Sequence, residues 1–147
     1  MKKFLVIATL FILLSNQSVA KDFFLVCEGK MQSTSAMHKS TDNLFEEWKI
    51  TTVDKKIFIV ELINTGAWNY RSGYLGGDLS FTNNVINIDV YNEKAGRGYT
   101  IKKYTHSISL NSGRFSWSQF LESSSVSWVF QAQGKCDGYK EILRHLN

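Results

Sequence analysis

From residue 22 onward, apolar and polar residues alternate with a period of two in run after run, the pattern of strands that bury one face. In 85–91, Ile86, Ile88 and Val90 alternate with Asn87, Asp89 and Tyr91. In 45–53, Trp48, Ile50 and Thr52 take one face and Lys49, Thr51 and Val53 the other. Phe115, Trp117, Gln119 and Leu121 share one side of 114–121, as Val126, Trp128, Phe130 and Ala132 do in 126–133. Further strands are predicted over 22–29, 56–63, 79–83 and 99–110, about eight in all. The 56–63 run (KIFIVELI) is apolar enough to predict burial on both faces or nearly so. In 99–110, Tyr104, Ile108 and Leu110 fall on one face with Lys102 and His106.

Turn residues punctuate these runs. Asn83-Asn84 tolerates the positive φ of tight hairpins, and Asn111-Ser112-Gly113 offers a three-residue loop with glycine at the left-handed position. Asp54-Lys55, 93–98 and 122–125 are further turns. Two stretches escape the alternation. The polar segment 31–43 reads as a long loop, with Asn43 and Glu46 spaced as a capping box that offers a short helix. The segment 64–77 (NTGAWNYRSGYLGG) is too irregular for a strand. Ile142, Leu143 and Leu146 have helical spacing and predict a short helix over 139–146. Hairpins without intervening helices imply an all-β antiparallel domain. The expected form is an up-and-down barrel or half-closed barrel of about eight strands with a short C-terminal helix; a β-sandwich is the alternative.

The N-terminus changes the picture. Lys2 and Lys3 precede eleven largely apolar residues (4–14), and Ser18-Val19-Ala20 supplies small residues before a cleavage point. This is the signal-peptide pattern, so 1–20 is expected to be removed and 21–147 to form one exported domain. Losing two lysines leaves 15 basic against 13 acidic residues, a net charge of +2 rather than +4. The sequence pI of about 9.1 thus overstates how basic the exported domain is; no nucleic-acid partner is expected, and no later run is long enough to span a membrane as a helix. Two cysteines in an exported chain most often form one disulfide, so Cys27 and Cys136 are expected to join the first strand to the last. A redox or metal-binding pair is the alternative, with no Cys-x-x-Cys spacing to favour it.

Candidate chemistry is sparse. His38, His106 and His145 are isolated in sequence, so no metal site is predicted. His106, beside Tyr104 on an apolar face, reads as a hydrogen-bonded core residue. Glu46 and Glu47 are neighbours on a strand and therefore face opposite ways, which rules out shared acid/base work. There is no Gly-x-Ser-x-Gly elbow, and no cofactor motif. Arg97-Gly98-Tyr99 resembles the start of an RNA-recognition strand, but Thr100 and Ile101 depart from it. The basic arm Lys94, Arg97, Lys102 and Lys103 reads as a solvated edge, with contact to an anionic polymer as the alternative. The best binding candidates are Trp68, Tyr70, Arg71 and Tyr74, large flat or planar groups in a glycine-rich loop, suited to stacking on a sugar or anchoring a protein; the alternative is a loop that folds its own aromatics over a barrel end as a plug.

The framework resembles a loose group of small periplasmic β proteins of Gram-negative bacteria. The likeness rests on Val26-Cys27-Glu28-Gly29-Lys30, on Ser112-Gly113-Arg114-Phe115 and on Gly134-Lys135-Cys136. It implies the disulfide-framed shell and transfers no active residue. Ser72-Gly73-Tyr74 and Gly77-Asp78 are similar to signatures of the periplasmic inhibitors of C-type lysozyme, without the lysine that family places before its Gly-Asp. The expectation is a non-catalytic periplasmic or secreted binding module whose aromatic loop contacts a protein or glycan of the envelope. An envelope hydrolase, a lipocalin-like carrier and a lysozyme-inhibitor-like protein are the alternatives.

Overall fold

The computed structural model describes residues 19–65, 73–74, 78–96 and 98–147, with the side chains of 65, 73, 74, 95 and 96 left aside. Nine strands and one helix follow in order: β1 (Ala20–Thr34), β2 (Lys39–Val53), β3 (Lys56–Thr65), β4 (Gly73–Tyr74), β5 (Asp78–Thr82), β6 (Val85–Gly96), β7 (Tyr99–Ser109), β8 (Arg114–Glu122), β9 (Ser127–Asp137) and α1 (Tyr139–Leu146). All strands belong to one antiparallel sheet in the order β4-β3-β2-β1-β9-β8-β7-β6-β5. Sequence neighbours pair except for β4 and β5, β1 pairs β9 in the middle of the sheet, and the whole curls into a nearly closed barrel. Among the described residues, β4 and β5 are not paired with each other, and the barrel is open there.

The seam between the chain's first and last strands is covalent. Cys27 lies directly opposite Cys136, and their sulfurs are bonded across a sequence separation of 109. Two positions along, Gly29 faces Gly134. A Cβ on either glycine would run into the opposing backbone, and one on Gly134 would also meet the Phe115 ring. The glycine pair thus lets β1 and β9 approach closely while Phe115 covers them from inside.

The inward positions make the core. Leu25, Trp48, Ile50, Ile86, Ile108 and Leu121 are fully or almost fully buried and fill the barrel. Helix α1 buries Ile142 and lays Tyr139, Leu143 and Leu146 against this core. His145 anchors it further: its Nε2 lies 3.1 Å from Thr52 Oγ1 and its ring 5.0 Å from that of Phe23. The turns predicted at Asn83-Asn84 and Asn111-Ser112-Gly113 hold. Asn83 and Asn84 have φ of 53° and 61°, and Gly113 has φ of 71°.

Several expectations need correction. The segment 31–43 is not a loop and starts no helix: β1 runs to Thr34, β2 begins at Lys39, and only a tight turn separates them. Its polar residues still alternate; Met31 and Ser33 point inward, and Ser33 Oγ bonds Ser40 Oγ at 2.7 Å. β3 buries one face only, since Phe58 is 65% exposed and Ile63 also faces solvent. Composition does not record the bulge in the β2–β3 pairing, between Thr51 and Thr52, which leaves Phe58 without a partner across the ladder. β6 continues to Gly96 rather than turning at Glu93, because Glu93 and Lys94 remain in register with β7. A bulge between Ile101 and Lys103 shifts the face assignment of β7, so Lys102 leaves the His106 face and pairs with Glu122 at 3.1 Å.

Candidate functional site

Trp68, Tyr70 and Arg71 lie outside the described residues. Tyr74 is placed only through its backbone, in the two-residue β4, opposite Glu61. Among the basic arm, Arg97 is likewise outside, and neither Lys102 nor Lys103 is buried. Cys27 and Cys136 form the disulfide, which removes both thiols from any nucleophilic or metal-binding role. Among the described residues, no three His, Cys, Asp or Glu side chains converge as metal ligands, and no helix is long and apolar enough to cross a membrane.

The barrel interior holds a polar cluster that the sequence did not single out. Alternation along β2 turns Glu46 inward, to 4% exposure, and Glu47 outward, where it accepts a bond from Asn64 Nδ2 at 3.0 Å. Glu46 Oε2 accepts the Trp48 indole N–H at 3.0 Å, and Oε1 accepts that of Trp117 at 2.9 Å. Each buried carboxyl oxygen therefore has a donor, and each indole an acceptor. His106 is 2% exposed, with its ring 4.6 Å from Trp48 and stacked 5.9 Å from Phe115. Its Nε2 comes within 3.5 Å of Glu46 Oε2, too long and poorly aligned for a hydrogen bond. His106 is a core residue as expected, but neither ring nitrogen has a hydrogen-bond partner. Burial first, and the Glu46 carboxylate second, hold the neighbouring Tyr104 hydroxyl well above the ordinary tyrosine value of 10.0. Chemically this cluster resembles an acid/base pair, yet aromatic side chains seal it from solvent.

The accessible site lies on the opposite face of the same sheet. A groove of about 580 Å³ opens there across β1 and β5–β9. Its floor is ordered by strand register. One row crosses six strands as Lys30, Gln133, Ser116, Ser107, Asn87 and Ser80, each directly opposite the next. Two residues along each strand, the adjacent row reads Gln32, Gln131, Ser118, Thr105, Asp89 and Asp78. Thr105 Oγ1 and Ser118 Oγ bond at 2.9 Å, and Lys30 Nζ donates to Asn43 Oδ1 at 2.6 Å. Beyond the second row stands a third of different character, with Val129, Phe120, Lys103 and Tyr91 in register. Tyr91 is 55% exposed, and Phe120 and Val129 also face solvent.

Sequence reasoning assigned these outward residues no role. The available signal was that the outward residues of successive strands are short and polar, as with Thr105 and Ser107 or Ser116 and Ser118. Only the register shows that they align. No family model, no curated protein and no solved structure matches this chain.

Proposed function

We propose that this chain is an exported, non-catalytic binding module of the bacterial periplasm that recognises a protein or glycan of the cell envelope through its Trp68–Tyr74 loop. The observation that carries the non-catalytic part is the sealing of Glu46 and His106, at 4% and 2% exposure, inside the packed barrel. A hydrolase needs its acid and base within reach of substrate, and these two are walled off by Trp48, Tyr104 and Phe115. The Cys27–Cys136 bond fits an oxidising compartment outside the cytoplasm. The signal-like 1–20 segment supports the same address. A lipocalin-like carrier finds less support, since Trp48 and Trp117 meet on Glu46 in the interior where a ligand would sit.

The test compares wild type with a Trp68→Ala/Tyr74→Ala variant in capture of partners from periplasmic extract and from peptidoglycan sacculi. The reading expects components retained by wild type and lost from the variant. Identical retention by both proteins would remove the loop as the recognition element.

A further inference from the structure

We infer that the outer groove over β1 and β5–β9 is a second recognition site, one that takes an extended, uncharged glycan. It does not depend on the Trp68–Tyr74 loop and shares with the reading above only the premise of a binding protein.

The lining chemistry excludes the other ligand classes. Cores of protein interfaces concentrate aromatic, Met and Arg side chains and are poor in Ser and Asp. This floor is the reverse, with Ser80, Ser107, Ser116, Ser118 and Asp89 among its residues. A phosphate-rich ligand needs several cations along its path, but Lys30 is the one cation of the two rows, and Asp78 and Asp89 there repel anions. A lipid needs an apolar floor, and the two central rows have none.

A glycan matches on three counts. Its hydroxyls both donate and accept, as do the hydroxyl and amide side chains of the two rows. The rows lie about 7 Å apart and six strands span roughly 24 Å, a surface for several linked rings rather than one. Asp78 and Asp89 stand directly opposite each other on β5 and β6, with no ion-pair or hydrogen-bond partner among the described residues. Like charges so placed are destabilising unless something donates to them, and ligand hydroxyl groups would do so. The exposed rings of Tyr91 and Phe120 flank the polar rows and offer flat apolar faces to the C–H side of a sugar.

The experiment is calorimetric titration of the mature protein with soluble tetrasaccharides of glucose, mannose and N-acetylglucosamine, with co-sedimentation on insoluble chitin. The expected result is saturable binding to at least one of these. Asp89→Ala, Gln131→Ala and Tyr91→Ala should each weaken it tenfold or more with no fall in Tm, and Ser118→Arg, which fills the groove, should abolish it. Trp68→Ala and Tyr74→Ala should leave it intact. Binding to none of the probes, or equal binding by the groove variants, overturns the inference. So does loss confined to the Trp68 and Tyr74 variants, which would leave the loop reading standing alone. Groove variants that lose a protein partner and no glycan would overturn it as well, by assigning the face to protein.

Discussion

Trp117 on β8 donates its indole N–H to Glu46 on β2 at 2.9 Å, joining positions 71 apart across the barrel interior. Glu46 also accepts from Trp48 on its own strand, so one carboxyl group ties together two large aromatic side chains of the core. Removing it strands two donors in or near the interior. Glu46→Ala is expected to cost about 2–4 kcal/mol, and Glu46→Gln, which keeps one acceptor oxygen, about half of that. Urea denaturation followed by tryptophan fluorescence measures both. A loss under about 0.5 kcal/mol in the alanine variant would show that the carboxylate is not what holds the indoles.

The disulfide closes a loop of 109 positions, so its loss should act chiefly by freeing the unfolded chain. Cys27→Ser/Cys136→Ser, or reduction of the wild type, is expected to cost about 4 kcal/mol. The oxidised protein, unfolded without reductant, should yield no reactive thiol, and two after reduction.

Gly29 and Gly134 test the close seam beside that bond. Gly29→Ala sets a methyl group against the Gln133 carbonyl, which is backbone and has no rotamer to give way. A loss of about 3 kcal/mol and a fall in Tm of roughly 10 °C are expected. An unchanged Tm would mean that β1 and β9 can separate here at no cost.

Tyr104 sets an alkaline limit on stability. Its hydroxyl titrates well above 10.0 in the folded protein, so the folded state holds that proton more tightly than the unfolded chain does. The stability this contributes is complete below the ordinary tyrosine value and is lost as pH rises beyond it. Tyr104→Phe should therefore flatten the decline of Tm above pH 10.0 while leaving the neutral value little changed. A variant that declines as steeply as wild type would contradict this.

Which residues turn inward was largely legible before the structure. Ile86, Ile88 and Val90, or Phe115 and Leu121, announce their face by alternation, and Asn83-Asn84 announces its turn by tolerance of positive φ. Two of the misreadings share one cause. Polarity in 31–43 suggested a loop, and apolarity in 56–63 suggested double burial, because composition was taken for position. In the structure Ser33 is buried through its bond to Ser40, while Phe58 is exposed by a bulge. The RNA-like Arg97-Gly98-Tyr99 run and the aromatic loop were the conspicuous motifs, but the described groove is made of residues that no motif marks.

The sequence by itself determined the class of fold, the hairpin turns, the terminal helix and the pair of sulfurs free to meet, because each depends on short-range periodicity or on there being only two cysteines. The tertiary structure decided what those elements bring together. That Glu46 meets Trp117, that His106 is enclosed by rings, and that Lys30 and Ser80 end one polar row across six strands all depend on pairing register and bulges. A shift of one residue in any strand would exchange its inner and outer faces, and no local pattern records which partner position each residue meets.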